Sequence, residues 1–122
     1  MRHFILGTML LLSACTTMIG NPPIDGWPKL SVEWHRVSGK QMMDFCVRTN
    51  ADNPLVKING LLVYIMGCAE PDFDRMACEI YVDKDFPDAG LDEHELKHCE
   101  GWDHYGETGM RDLWMEWQKS QP

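Results

Sequence analysis

The segment HELKHCEGWDH, which begins at His94, holds three histidines and a glutamate at spacings suited to metal chemistry. If the segment opens as a helix, His94 and His98 lie one turn apart on the same face, so both imidazoles can reach one ion. Glu95 projects about 100° further round the helix, where it is poorly placed as a ligand but can approach a water beside the ion. Gly101 can adopt a left-handed conformation at little cost, which ends the helix and allows His104 to turn back.

Three neutral histidines with one open position form the arrangement of a catalytic zinc site, whereas structural zinc sites usually have four protein ligands. Bound zinc lowers the pKa of its water towards ~7 and polarises a carbonyl group. Glu95 could take a proton from that water and later deliver it to a leaving group. The pattern therefore predicts one Zn²⁺ per chain, held by His94, His98 and His104, with Glu95 as general base.

The extended pattern HExxHxxGxxH resembles the metzincin signature of the zincin metallopeptidases. The resemblance implies the same three ligands, the same general base and hydrolysis of peptide bonds. It also implies that the strand before the helix, ACEIYV at residues 77–82, forms the rim of a cleft and pairs with an extended peptide. Cys99 and Trp102 make the segment similar to small exported bacterial proteins with an HExxHxxGW core.

Four further polar residues have both a functional and a structural interpretation. Asp103 and Glu107 could orient a ligand imidazole, but they lie in a run of acidic residues, and a solvated face is the expected explanation. Tyr105 could stabilise an oxyanion, although packing is the expected role. His35, alone on a predicted strand, is expected to be structural.

The amino terminus has the layout of an export signal. Met1-Arg2-His3 is a short basic head, residues 4–12 are apolar, and the run is too short for a transmembrane helix. Leu12-Ser13-Ala14-Cys15 resembles the bacterial lipobox, which implies removal of residues 1–14 and an acyl anchor on Cys15. Thr16 after the cysteine favours the outer membrane, with the domain facing the periplasm. The alternative is a plain signal peptide cut near Ala14, which leaves Cys15 as an ordinary thiol.

Charge argues against nucleic-acid binding. The chain has 11 Lys+Arg and 19 Asp+Glu, and residues 1–14 include one basic and no acidic side chain, so the mature chain has a net charge of −9. Thirteen of the acidic residues lie between Glu70 and Glu107, where three basic residues oppose them. Such a field repels phosphate backbones and anionic membrane surfaces.

The four remaining cysteines predict two disulfide bonds, because an even number of cysteines in a small exported domain usually supports a limited core. Three pairings are open from sequence. The ten-residue spacing of Cys68 and Cys78 across a turn-like segment favours that pair, which leaves Cys46 with Cys99.

The chain divides into a signal peptide (1–14), a Pro- and Gly-containing flexible tether (15–29) and a metal-binding domain (30–122). Alternation from Leu30 predicts a half-buried strand, and Asn59-Gly60 between two apolar runs predicts a hairpin. Residues 41–48 fit either a helix or a strand. The predicted helices are 91–99, opened by Asp92 and Glu93, and about 109–119, with Thr108 as N-cap and a packed aromatic stripe. The predicted fold is α+β: a small β-sheet packed on the active-site helix and a C-terminal helix, in a minimal zincin-like arrangement.

Two functional classes agree with these features. The first is a lipid-anchored zinc peptidase that acts on peptides, proteins or cell-wall peptides. The second is a non-catalytic lipoprotein of the cell envelope in which zinc staples the fold and the surface is an interaction module. Glu95 separates them, because a hydrolase requires its carboxylate and a zinc staple tolerates glutamine there.

Overall fold

The computed structural model describes residues 19–49 and 67–122. In chain order the elements are β1 (Ile19–Asn21), β2 (Ser31–Val37), α1 (Gly39–Thr49), β3 (Gly67–Asp72), β4 (Ala77–Asp83), α2 (Ala89–Cys99), β5 (Asp103–His104) and α3 (Gly109–Ser120). The expected mixture of helices and small sheets is confirmed, and the ambiguous residues 41–48 belong to a helix.

The larger sheet has three strands in the order β2-β4-β3. Strands β2 and β4 are parallel, while β3 and β4 are antiparallel. The alternation of β4 buries Cys78, Ile80 and Val82 on the face that packs against α2, in a cluster that includes Cys99. The other face carries α1, whose Met42 and Cys46 are fully buried. One strand therefore supplies both halves of the core.

The strand ACEIYV lies in the middle of this sheet, not at its edge. Because β4 pairs with β2 on one side and β3 on the other, its backbone hydrogen-bonding groups are already used. The expectation that residues 77–82 form the rim of a cleft is therefore wrong. Within residues 19–49 and 67–122, no strand pairs with the outer edge of β3.

The disulfide bonds join Cys46 to Cys68 and Cys78 to Cys99, with a Cα–Cα distance of 5.7 Å in each. The favoured pairing is therefore wrong. In the β3–β4 ladder Cys68 lies opposite Tyr81, and Cys78 lies opposite Pro71. Cys68 is therefore offset by three residues along the strands from Cys78. A three-residue offset along a strand is roughly 10 Å, too far for a disulfide.

Residues 19–29, which were predicted to belong to the tether, pack against the domain instead. Strand β1 pairs with β5, and the indole Nε1 of Trp27 donates to the Cys99 carbonyl at 3.0 Å. The same ring meets Phe73 edge-on, with 5.4 Å between centroids. This segment thus covers the end of α2.

The C-terminal helix α3 buries Trp114 against Phe73, with centroids 5.0 Å apart, which fits the predicted aromatic stripe. Thr108 stands at the N-cap position, but its side chain makes no capping hydrogen bond. The buried carboxylate of Asp103 accepts from the backbone N–H groups of Met110 (2.8 Å) and Arg111 (3.3 Å) instead.

Several sequence-based expectations lie outside the described residues. They are the signal peptide, the lipidation site at Cys15, the first part of the tether and the Asn59-Gly60 hairpin. Among the helices of the described ranges, none has the length and apolar character needed to span a bilayer.

Candidate metal centre

The structure brings His94, His98 and His104 together at one point. Helix α2 supplies His94 and His98 one turn apart, and the turn at Gly101, with φ of 96°, returns the chain to His104 in β5. The Nε2 atoms are 3.1 Å apart for His94 and His104, and 3.2 Å apart for each of the other two pairs. The three residues can hold a metal ion.

The spacing of these atoms fits a tetrahedral ion. Zinc–nitrogen bonds of about 2.0–2.1 Å at tetrahedral angles place the nitrogens roughly 3.3–3.4 Å from one another. The observed separations of 3.1–3.2 Å lie within a few tenths of an ångström of that value. The arrangement requires no rearrangement of the backbone to accept an ion.

Hydrogen bonds behind the imidazoles decide which ring nitrogens face the centre. His98 Nδ1 lies 2.8 Å from the Trp102 carbonyl oxygen, which can only accept, so this nitrogen carries the proton. His104 Nδ1 lies 2.9 Å from Glu107 Oε2 and donates to that carboxylate. When these rings are neutral, the Nε2 atoms of His98 and His104 therefore carry lone pairs, and the two lone pairs face each other. A hydrogen bond cannot join two acceptors, whereas a cation can.

Burial favours the neutral form of His94 and His98, which is the form of histidine that binds metal. Desolvation lowers the pKa of His94 to about 4, with smaller contributions from His98 and His104. Desolvation also lowers the pKa of His98, although its hydrogen bond to the Trp102 carbonyl opposes this effect. At neutral pH these rings do not have to lose a proton before an ion binds.

Glu95 is 4% exposed, and burial raises the pKa of its carboxyl to about 7. The side chain points towards β3, where a methyl group on Gly67 would lie 3.6 Å from Glu95 Cγ. Its carboxylate does not belong to the group of donors that converge within 4.8 Å. Glu95 is therefore a buried carboxyl beside the first candidate ligand in the sequence, and its raised pKa allows it to exchange a proton near neutral pH.

Sequence reasoning underestimated the residues around the ligands. Glu107 is a partner of His104, not only part of a solvated acidic face. Asp103 is buried and its hydrogen bonds go to the start of α3, while its charge acts to raise the pKa of His98. The side-chain amide of Asn21 in β1 donates to the carbonyls of His104 (3.3 Å) and Glu107 (2.9 Å), a contact that no local sequence signal announces.

Tyr105 and His35 make the packing contacts that were expected of them. Tyr105 is 68% exposed, and its ring lies directly over Gly20 of β1 at the surface. His35 stacks on Tyr81, with centroids 4.3 Å apart, and its Nε2 lies 3.3 Å from Glu79 Oε1. Neither residue belongs to the three-histidine centre.

No protein-family model matches the chain, and no curated protein or solved structure shows significant similarity to it.

Proposed function

We propose that this protein is a zinc-dependent hydrolase of peptide bonds, with His94, His98 and His104 as metal ligands and Glu95 as general base. The observation that carries the proposal is the convergence of three Nε2 atoms at 3.1–3.2 Å, two of them with lone pairs held inwards. Three histidine ligands leave one position of a tetrahedral ion open, as catalytic zinc requires.

A bound Zn²⁺ would lower the pKa of water and polarise the carbonyl of the substrate. Glu95 accepts a proton from the attacking water as the new C–O bond forms. The same carboxyl then delivers that proton to the amine as the C–N bond breaks, which leaves a free carboxylate and a free amine. Burial raises the pKa of the Glu95 carboxyl to about 7 in the metal-free protein, and a bound Zn²⁺ would lower it towards the range in which the carboxylate accepts a proton at neutral pH.

The outer edge of β3 is the surface best suited to an extended peptide. Among the residues that the structure describes, no strand pairs with this edge, and an open strand edge offers backbone donors and acceptors to another chain. Glu95 lies against the first residue of this strand, Gly67. Carboxylates from Glu70 and Asp72 of β3 line an adjacent groove of about 440 Å³. This field favours neutral or basic peptides over acidic ones.

The proposed site of action is the bacterial cell envelope. The lipobox-like Leu12-Ser13-Ala14-Cys15 supports a lipid anchor in the bacterial cell envelope, most simply the outer membrane, with the domain in the periplasm. Two disulfide bonds agree with an oxidising compartment. Peptides of the cell wall are substrates within reach of such an anchor.

The decisive experiment measures zinc and hydrolysis together on the full-length chain and two variants. Zinc is quantified by mass spectrometry, and hydrolysis is followed on fluorogenic peptides of positive, neutral and negative charge and on cell-wall peptides. We expect His98→Ala to lose one zinc ion and all activity. We expect Glu95→Gln to keep that ion and to lose roughly 10²–10⁴-fold in rate.

Two results would contradict the proposal in different ways. An oxidised, folded protein without zinc at the histidine centre would remove the metal and the hydrolase together. A zinc-loaded protein that cleaves none of the peptides would support the alternative, a zinc-stapled interaction module of the envelope. The placement of the ligands on both α2 and β5 favours that alternative as the second candidate, because an ion there ties two elements together.

A further inference from the structure

A second group of metal-type side chains lies on the sheet face that carries α1. Glu33 and His35 of β2 and Glu79 of β4 each place a donor atom within 4.8 Å of the other two. We propose that Glu33, His35 and Glu79 bind a second divalent metal ion, separate from the three-histidine centre.

Strand pairing brings these side chains to one place. In the parallel ladder Glu33 lies directly opposite Glu79, and His35 follows two residues later on the same face. Tyr81 continues that face on β4 and stacks between His35 and Phe45 of α1. The donors therefore project from the sheet side opposite α2, so an ion here does not share the His94, His98 and His104 centre.

The His35 ring nitrogen is the observation that points to a ligand. His35 Nε2 is shielded from solvent and has no hydrogen-bond partner among the described residues. A shielded polar atom without a partner destabilises the fold, and a bound cation would remove that penalty. The atom lies 3.3 Å from Glu79 Oε1, without the geometry of a hydrogen bond. Two ligands of one ion, at about 2.1 Å each and at angles of about 90–109°, are roughly 3.0–3.4 Å apart.

Charge favours a cation at the same point. Glu33 and Glu79 face each other across two strands, and like charges in that position destabilise a sheet. Arg75 Nη2 contacts Glu33 Oε1 at 2.6 Å, which partly offsets the charge of that carboxylate and leaves the Glu79 carboxylate without a basic partner at this contact. An ion between the two carboxylates removes their repulsion and satisfies the imidazole.

The donor set indicates the class of ion. One imidazole with two carboxylates is richer in oxygen than the three-histidine centre, so it suits Mn²⁺ as well as Zn²⁺. Glu79 also lines the groove of about 440 Å³, together with Glu70 and Asp72. The groove opens to solvent and therefore provides a route for the ion.

The test is a count of bound ions on the full-length chain. Metal-free protein is dialysed against Zn²⁺ or, separately, against Mn²⁺, and the ions per chain are counted by mass spectrometry. The variants are His35→Phe, which keeps an aromatic ring to stack on Tyr81, Glu79→Gln and His98→Ala. Glu116→Gln is the matched control, because Glu116 lines the same acidic groove but does not belong to the donor group. Circular dichroism verifies the fold of every variant.

We expect two zinc ions on the parent chain and on Glu116→Gln, one on each of the other single variants, and none on a His35→Phe/His98→Ala chain. A parent chain with one ion that His98→Ala removes would overturn the second site and leave the proposed function intact. A second ion that persists in both His35→Phe and Glu79→Gln would overturn the assignment of its ligands. Loss of the ion in His35→Phe alone, with none lost in His98→Ala, would support the second site and contradict the three-histidine centre.

Discussion

Hydrogen bonds from two of the three clustered histidines fix the orientation of their rings. The Trp102 carbonyl and the Glu107 carboxylate hold the Nδ1 protons of His98 and His104, so both Nε2 lone pairs face inwards. The carbonyl belongs to the backbone and cannot be removed by substitution. The carboxylate can be removed, which makes Glu107 the residue that reports on this preorganisation.

We predict that Glu107→Ala weakens zinc binding by about 10–100-fold, the usual effect of losing the partner of a ligand histidine. The ring of His104 would keep its position in β5 but lose the group that fixes its tautomer. A competition titration against a chromogenic chelator measures the affinity. Glu100→Ala is the control, because Glu100 is also acidic and exposed but contacts no ligand side chain. Equal losses in both variants would contradict the role of Glu107.

We also predict that Glu95 makes the stability of the metal-free protein depend on pH. Burial raises the pKa of Glu95 from 4.5 in the unfolded chain to about 7 in the fold. The folded state therefore binds more protons between these values, and stability falls as pH rises through them. The full penalty is about 3 kcal/mol above the folded pKa.

Urea unfolding of the metal-free parent and of Glu95→Gln measures this penalty. The variant should gain stability over the parent as pH rises from about 5 to about 8. Titration of His94 and His98 affects both proteins alike and cancels in the difference. A stability difference that stays constant over this range would show that Glu95 is not buried as the structure describes.

At the scale of elements, the end of α2 determines whether His104 can reach His94 and His98. Gly101 has a φ of 96°, and a Cβ at this position would lie 2.6 Å from the ring of Trp27. Trp27 in turn donates to the last carbonyl of the helix, Cys99. The turn thus requires glycine for its conformation and also for the space that the tryptophan occupies.

Gly101→Ala should therefore destabilise the protein more than Gly106→Ala does. Gly106 also has a positive φ, 77°, but open space surrounds its missing Cβ. At Gly106 we expect the strained conformation to lower the free energy of unfolding by about 1–2 kcal/mol. At Gly101 we expect a further loss of ~1–3 kcal/mol, because the new Cβ displaces the Trp27 indole. Urea denaturation of the two variants measures both values. Equal losses would show that Trp27 does not pack against the turn.

For the molecule as a whole, the two disulfide bonds have different relations to the metal centre. Cys78–Cys99 fixes the last residue of α2 to the central strand, next to His98. Cys46–Cys68 joins α1 to β3 on the other side of the sheet. The sequence separations are 21 and 22 residues, so the loss of chain entropy on closure is nearly the same.

We predict that replacing either cysteine pair with alanine costs about 3 kcal/mol of stability. Only the Cys78→Ala/Cys99→Ala chain should also bind zinc more weakly, because its helix end is free to move His98. Denaturant unfolding and chelator competition separate the two effects, with Cys46→Ala/Cys68→Ala as the matched control. An equal loss of affinity in both would indicate that the whole fold, not the helix end, positions the ligands.

Local patterns in the sequence were sufficient to predict that three histidines come together, and to predict most elements around them. The spacing of His94, His98 and His104 and the break at Gly101 depend on helix geometry and on the freedom of one glycine, both of which are local. The same holds for β2, β4 and the final helix. Strand β3 was missed because Gly67, Pro71 and its acidic residues have low strand propensity, and pairing with β4 overrides that preference.

Long-range contacts decided the rest. The disulfide pairing depends on the register between β3 and β4. The order of strands in the sheet decides that β4 is central and β3 lies at an edge. The side chain that caps α3 is Asp103, which belongs to β5. The group of Glu33, His35 and Glu79 likewise exists only because β2 and β4 lie side by side, although 44 to 46 residues separate Glu79 from the other two in the chain. Residue type and spacing therefore determine what chemistry a segment can support. Pairing between distant segments determines which side chains come together in one site.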